Sequence, residues 1–161
     1  MSIFKNLFRK KEEKLKQIFP NRGLNLQLEP TPENGKGLSE FFCGAVKENE
    51  GFELDYSVDT LNFIDQFLDN FSKELKVDDF AETIFVAGCY SGQVMIENAN
   101  GQWIKQEDAN LPEGVNMMPI VIKLPNGTVC DPIAKAFKRF ANGESDNLSY
   151  FYQVFTTNDK K

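Results

Sequence analysis

The chain has 161 residues, of which 41% are hydrophobic, and carries a net charge of −6. This length and apolar content suit one domain with a sizeable core and exclude a disordered chain. Because the sequence contains no histidine, catalysis by Ser-His or Cys-His pairs and zinc sites built on histidine are excluded as well.

The charge is unevenly distributed along the chain. Residues 1–19 hold six basic and two acidic residues and so carry +4, which leaves −10 for the remainder. Residues 48–82 contain eleven acidic residues against two lysines. An acidic body of this kind disfavours binding to nucleic acid and favours a basic protein partner.

The first predicted element is a basic amphipathic helix over residues 1–19, ahead of a single α+β domain over residues 20–161. Lysines and one arginine interrupt its apolar positions, which are Ile3, Phe4, Leu7, Phe8, Leu15 and Ile18. This pattern is typical of a helix that binds an anionic membrane surface, and the alternative is a helix packed against the domain or a partly frayed terminus. No apolar run approaches the roughly 20 residues that span a bilayer.

The location that we expect is cytoplasmic. The N-terminus lacks the small-residue cleavage pattern of a secretory signal. The three cysteines, Cys43, Cys89 and Cys130, are odd in number and far apart. They fit reduced thiols better than a disulfide framework.

A strand and a helix are predicted next. Leu24, Leu26 and Leu28 alternate with polar residues, a strand pattern that Pro30 closes. Apolar residues then recur at helical spacing from Leu38 to Val46.

A third predicted helix, with an apolar stripe that ends at Leu75, carries acidic residues on its other side. Asp59, Asp65 and Asp69 belong to this side, which we interpret as an exposed acidic ridge and a candidate partner-binding surface. Asp65 and Asp69 are one turn apart and could hold a divalent cation or act as acid and base. We favour a solvated helix face, because no further metal ligands surround them, and predict no metal site.

The stretch from Phe80 to Gln102 is the predicted centre of the fold. Ala81, Gly88 and Gly92 fall at spacings of seven and four residues, so on a helix they share one face. A glycine inside a helix costs roughly 1 kcal/mol relative to alanine. We therefore expect another backbone or an aromatic ring to lie directly on this face.

The same stretch contains the sequence Gly88-Cys89-Tyr90-Ser91-Gly92, which has the outline of a nucleophile elbow. Its central residue is a tyrosine, and no histidine is present to act as a base, so we predict no catalytic residue and no cofactor. Tyr90, Ser91 and Trp103 are candidates for lining a small pocket. Helix and core packing is the alternative role for them.

The C-terminal third contains the strongest hairpin pattern. Two strands flank the turn Pro125-Asn126-Gly127, and a further strand is predicted at Trp103 and Ile104. Asp131 is expected to cap a helix whose first residue is Pro132, and Asp146 to cap the last helix. The predicted fold is therefore α+β, with five or six helices and a small antiparallel or mixed sheet of three to four short strands.

Several of these motifs occur together in an order that resembles a known family. They are Leu54-Asp55-Tyr56-Ser57, Gly88-x-Tyr90-x-Gly92-x-Val94, Leu124-Pro125-Asn126-Gly127 with Asp131-Pro132, and Phe140-x-Asn142-Gly143-x-x-Asp146-x-Leu148. The chain from Leu54 onward, about two-thirds of its length, is similar to a family of uncharacterised bacterial proteins built on a domain of unknown function. The resemblance implies a bacterial, cytoplasmic, single-domain protein and supplies no catalytic residues.

Three functions remain open from the sequence. The first is a non-catalytic protein-binding domain, most concretely an immunity-type inhibitor that holds a basic partner or toxin against the acidic ridge. The second is a small-molecule-binding protein or enzyme with a pocket near Tyr90, Ser91 and Trp103. The third is a peripheral membrane adaptor that acts through residues 1–19.

Overall fold

Five α-helices and a small sheet make up the part of the chain that the computed structural model describes, residues 17–157. The helices are α1 (Gly35–Glu50), α2 (Thr60–Ser72), α3 (Val77–Ala99), α4 (Pro132–Asn142) and α5 (Leu148–Thr157). The strands β1 (Gln102–Lys105), β2 (Ile120–Lys123) and β3 (Val129–Cys130) form one antiparallel sheet in the order β1-β2-β3. The predicted α+β fold class is confirmed.

Helix α3 is the centre of the core and packs against both α1 and α4. A Cβ atom at Gly88 would lie 2.5 Å from the Cα atom of Ile133 in α4. A Cβ atom at Gly92 would collide with the indole ring of Trp103 in β1. The predicted close approach on the glycine face of α3 is thus confirmed, by a backbone at Gly88 and by an aromatic ring at Gly92.

The sheet is built on the predicted hairpin. Gly127 has a φ of +89°, which its lack of a side chain permits, and its N–H donates to the carbonyl of Leu124 at 2.9 Å. Strand β1 pairs with the other edge of β2, with Trp103 opposite Ile122. The middle of β2 is fully buried, so the sheet covers one side of the helical core.

The predicted strand at Leu24, Leu26 and Leu28 is wrong, because the structure has no strand between residues 20 and 30. The three leucines are half-buried against the core, so the alternation does mark a buried side. However, none of the described strands pairs with this segment, and the N–H of Asn25 donates to the carboxylate of Glu82 instead.

The predicted N-terminal helix falls mostly outside the described residues. Of its nineteen residues, the structure describes only 17–19, and these three have an irregular backbone. Although α3 is 23 residues long, neither it nor any other described helix is apolar enough over a sufficient length to cross a membrane.

Candidate functional site

Tyr90 lies in the core, where its hydroxyl group joins two segments of the chain. The hydroxyl oxygen accepts a hydrogen bond from the backbone N–H of Tyr56 at 2.8 Å and lies 2.9 Å from Oγ1 of Thr60. The rings of Tyr90 and Tyr56 stack with their centroids 4.7 Å apart. Tyr90 therefore fixes the segment between α1 and α2 onto the central helix.

Tyr56 has an unusual backbone conformation, with a φ of +62°. A left-handed conformation is unfavourable for a bulky residue and persists only when its surroundings hold it. The hydroxyl of Tyr90 holds the N–H of Tyr56, and the side-chain amide of Asn98 donates to its carbonyl at 2.8 Å. The Tyr56 hydroxyl lies 2.9 Å from Oγ of Ser39 and accepts from the Cys43 thiol at 3.6 Å.

These side chains form what we call the hydroxyl cluster, which consists of Ser39, Cys43, Tyr56, Thr60 and Tyr90. Burial raises the pKa of the Tyr56 and Tyr90 hydroxyls and of the Cys43 thiol. The cluster therefore stays protonated at neutral pH and supplies neither a general base nor a thiolate. Its hydrogen bonds give it a structural role.

Replacing Tyr90 by phenylalanine is expected to lower the free energy of unfolding by about 1–3 kcal/mol, because the N–H of Tyr56 would lose its partner in a half-buried site. Urea unfolding measures this change. Tyr150→Phe is the matched control, since the Tyr150 side chain is 65% exposed and its change should stay within about 0.5 kcal/mol. Equal effects of the two changes would contradict the role assigned to the Tyr90 hydroxyl.

The structure does not bring Tyr90, Ser91 and Trp103 together around a pocket. All three are buried. The Ser91 hydroxyl donates to the carbonyl of Ala87 within its own helix, and the Trp103 indole N–H donates to Oε1 of Gln93 at 3.2 Å. None of the three lines the cleft that lies between α1 and α3. Core packing, the alternative that the sequence left open, describes their contacts.

The interpretation of Asp65 as part of an exposed acidic ridge is wrong, because Asp65 is only 4% exposed. Its carboxylate accepts hydrogen bonds from the backbone N–H groups of Leu148 and Ser149, at 2.7 and 3.2 Å, in the first turn of α5. Those N–H groups have no partner within their own helix, and a carboxylate there also stabilises the helix dipole. Asp65 therefore caps α5 from α2.

Arg139 of α4 neutralises this buried carboxylate. Its Nε atom lies 3.3 Å from Oδ1 of Asp65, and its guanidinium donates to Asp69 at 3.4 Å. Partial burial tends to raise the pKa of the Asp69 carboxyl. The charges and hydrogen bonds of Arg139 and Lys73 outweigh this effect and lower the pKa below its ordinary value. Of the three predicted partner-binding residues, only Asp59 is exposed and free of ion pairs among the described residues.

Asp146 does not cap the last helix as predicted. The side-chain oxygen of Asn147 accepts a hydrogen bond from the N–H of Ser149 at 2.9 Å. Asn147 and Asp65 together therefore cap the last helix, α5. Asp146 instead pairs with Lys135 of α4 at 2.7 Å.

An open cleft of about 450 Å³ lies between α1 and α3, beside residues 25–27. We call it the acidic cleft, because its wall carries three carboxylates, Glu40, Glu48 and Glu82. Glu40 and Glu48 are exposed, and among the described residues neither forms an ion pair. Phe41, which is 38% exposed, lies beside Glu40.

The wall of the acidic cleft is open at Gly44. A Cβ atom at this residue would meet nothing within 4 Å, in contrast to Gly88 and Gly92. No packing contact within residues 17–157 therefore accounts for a glycine in the middle of α1. Its absent side chain leaves room for a group from outside the fold to reach the helix backbone.

Glu82, the third carboxylate, is already paired. It accepts hydrogen bonds from both terminal guanidinium nitrogens of Arg22, at 2.6 and 2.7 Å, and from the N–H of Asn25. The hydrogen bonds from Arg22 lower the pKa of Glu82 to about 2. This pair fixes residues 22–25 onto α3 at one end of the cleft.

The contribution of Glu82 to stability is expected to depend on pH. Between pH 4.5, its ordinary pKa, and about 2, the carboxylate is ionised in the folded protein and protonated in the unfolded chain. The unfolded state binds more protons there, so the stabilisation is complete above that window and is lost as the pH falls through it.

Glu82→Gln should accordingly lower the free energy of unfolding at pH 7, and the difference from wild type should shrink towards pH 2. Urea unfolding at several pH values measures it. Glu107→Gln is the control, because Glu107 is exposed and forms no ion pair among the described residues. A difference that stays constant from pH 7 to pH 2 would contradict the pairing with Arg22.

Reasoning from the sequence missed Arg139 and the acidic cleft. Arg139 follows Ala136 by three residues, so it lies on the buried side of α4, and a cation in such a position requires a carboxylate nearby. Glu40 and Glu48 each lie four residues from Gly44, and the helix predicted from Leu38 to Val46 extends through Glu48 in the structure, so this spacing could have indicated an open helix face.

The remaining findings concern metal binding and the comparison with known proteins. Within residues 17–157, no three acidic or thiol side chains come together as a group that could hold a metal ion. Comparison with protein-family models, with curated proteins and with solved structures finds no match to the chain. The resemblance to an uncharacterised bacterial family stays a prediction.

Proposed function

We propose that this chain is a non-catalytic bacterial protein-binding domain, most concretely an immunity-type inhibitor, that engages a basic partner through the acidic cleft. The observation that carries the proposal is the open face of α1, where two carboxylates that form no ion pair within residues 17–157 flank an exposed aromatic ring. Asp65 and Asp69 are not the binding residues in this proposal, since Arg139 holds both.

The chemistry of the cleft defines the partner that it fits. Glu40 and Glu48 are eight residues apart on α1, which is about 12 Å along the helix axis. A partner segment with two lysines or arginines at that separation would place a cation at each carboxylate. Such charge complementarity speeds association and discriminates between partners.

Phe41 and Gly44 supply the remaining contacts. An aromatic side chain at the centre of an interface contributes a large apolar contact. Because Gly44 has no side chain and its surroundings are open, the partner's backbone can approach α1 closely. We therefore expect an apolar residue between the two cations of the partner segment.

A cytoplasmic location belongs to the same proposal. Cys43, Cys89 and Cys130 are all free thiols. Free cysteines support a reducing compartment, where disulfides are rare.

Affinity capture from a bacterial lysate with the full chain tests the proposed function. Wild type is compared with Glu40→Lys/Glu48→Lys and with the control Glu107→Lys/Glu113→Lys, which alters two exposed carboxylates outside the cleft. We expect a basic protein that wild type and the control retain and the cleft variant loses. Titration of that purified protein should then give a Kd at least tenfold weaker for the cleft variant. If all three forms capture the same proteins, the cleft is not the interface.

The other two functions receive no comparable support from the described residues. Tyr90, Ser91 and Trp103, which were predicted to line a pocket, are all buried and pack within the core. The membrane adaptor depends on residues 1–16, which lie outside the described part of the chain.

A further inference from the structure

A groove of about 350 Å³ lies between the C-terminal end of α1 and one side of α2. We call it the aromatic groove, because Phe63, Phe67 and Phe71 form part of its wall. These phenylalanines are four residues apart on α2, so they lie in a row on one side of the helix. The rest of the wall is polar and consists of Glu50, Gln66, Asn70 and Glu74.

The row of rings is fixed by further aromatic contacts. Phe52 stacks on Phe63 with the centroids 4.9 Å apart, and Phe80 stacks on Phe71 at 4.7 Å. The rings of Phe67 and Phe71 are themselves 4.8 Å apart. Phe63 and Phe71 are only half-buried, so part of each ring is open to the groove. Because the rings are already held in place, a ligand that binds to them would order few side chains.

An aromatic wall of this kind attracts cations. The face of a phenyl ring carries partial negative charge, and a cation close to it is stabilised by the ring quadrupole. The wall of the aromatic groove also contains two carboxylates and neither lysine nor arginine. The rings and the carboxylates therefore favour the same kind of ligand, a positively charged group.

Both carboxylates are available to such a group. Within residues 17–157, neither Glu50 nor Glu74 forms an ion pair. A lysine lies close to each of them in sequence but is paired with another carboxylate. Lys47 pairs with Glu53 at 3.0 Å. Lys73 lies 3.5 Å from a carboxylate oxygen of the residue one turn before it on α2.

The composition of the wall favours a guanidinium group among the possible cations. A guanidinium group is planar, so it can stack on a ring while its N–H groups donate to acceptors at the ring's edge. The acceptors in the aromatic groove are the carboxylates of Glu50 and Glu74 and the amide oxygens of Gln66 and Asn70. A lysine ammonium group is more strongly hydrated and cannot stack, so it matches phenyl rings less well.

The openness of the groove indicates where the guanidinium group comes from. The four polar residues of the wall are all exposed. Small molecules are usually enclosed by their sites over most of their surface. An arginine side chain on another protein requires no such enclosure, because its own protein covers the groove.

We infer that the aromatic groove binds an arginine side chain of a protein partner. The groove shares no residue with the acidic cleft. The inference therefore stands or fails separately from the proposed function.

NMR titration of the full chain, labelled with ¹⁵N, tests the inference. The probe is the tripeptide acetyl-Gly-Arg-Gly-amide, and the matched probe has lysine in place of arginine. The side-chain amide signals of Gln66 and Asn70 report on the aromatic groove, and the backbone amide signal of Gly44 reports on the acidic cleft. We expect the arginine peptide to move the groove signals with a Kd at least about threefold lower than that of the lysine peptide.

A pair of variants shows whether the groove carboxylates are responsible. Glu50→Gln/Glu74→Gln removes both charges and keeps the shape of the side chains, so it should weaken binding of the arginine peptide about fivefold. Glu107→Gln/Glu113→Gln makes the same change of charge at two exposed carboxylates outside the groove and should leave the Kd unchanged.

Several results would overturn the inference. The groove signals could stay in place, only the Gly44 signal could move, the two peptides could bind equally, or both variants could weaken binding to the same extent. Free arginine separates a protein partner from a small molecule. It carries a carboxylate that the acidic chain repels, so it should bind more weakly than the peptide. Tighter binding of free arginine would indicate a small-molecule site and overturn the assignment to a protein partner.

Discussion

Replacing Arg139 by methionine is expected to lower the free energy of unfolding by about 3–5 kcal/mol, the usual cost of removing one partner of a buried ion pair. The guanidinium is 4% exposed and lies 3.3 Å from the carboxylate of Asp65. Methionine fills a similar volume but leaves the Asp65 charge in the core without a cation. The same carboxylate caps α5, so the loss should also loosen the C-terminal helix.

Urea unfolding of Arg139→Met measures this cost, and a double-mutant cycle separates the pair from the packing. Asp65→Asn keeps an oxygen that can accept from α5, so Asp65→Asn/Arg139→Met should be clearly more stable than the sum of the two single changes implies. Lys138→Met is the control, because Lys138 is exposed and next in sequence. A change of less than about 1 kcal/mol for Arg139→Met would contradict the role of the pair.

Replacing Gly88 by alanine is the second change with a large expected effect. The added Cβ would lie 2.5 Å from the Cα atom of Ile133, and a backbone atom cannot move aside as the end of a flexible side chain can. Helix α4 would have to shift away from α3. We expect the free energy of unfolding to fall by about 3 kcal/mol, the upper part of the range for overpacked cores.

Gly44→Ala is the matched control for Gly88→Ala, since both glycines lie inside helices. At Gly44 the added methyl group enters open space, so only the helix propensity changes. The protein should become more stable by up to about 1 kcal/mol. Urea unfolding of the two variants should therefore give shifts of opposite sign. Destabilisation of similar size at both sites would mean that close packing at Gly88 is not the cause.

The parts of the fold that the sequence predicted correctly depend on local chemistry. The turn at residues 125–127 follows from proline, asparagine and glycine at successive positions. The Asp131 carboxylate accepts from the N–H of Ala134 at 2.9 Å, so the predicted cap of α4 is confirmed. The glycine face of α3 was predictable too, because helix-interior glycines are costly and require a compensating contact.

The parts that the sequence did not predict depend on residues far apart in the chain. Asp65 looked solvated because its cation, Arg139, comes 74 positions later and the helix end that it caps later still. The leucines at 24, 26 and 28 have the alternation of a strand, but a strand also needs a partner strand beside it. Alternation within one segment does not indicate whether such a partner is present. The acidic cleft likewise depends on how α1 lies beside α3.

The glycine face of α3 also constrains the order in which the chain becomes stable during synthesis. The side chains that cover Gly88 and Gly92 belong to Trp103, Pro132 and Ile133, all of which follow α3 in the sequence. A ribosome therefore releases α3 before the segments that cover it exist. Two glycines weaken an uncovered helix, so we expect the nascent chain to acquire lasting protection from proteases only after α4 has left the exit tunnel.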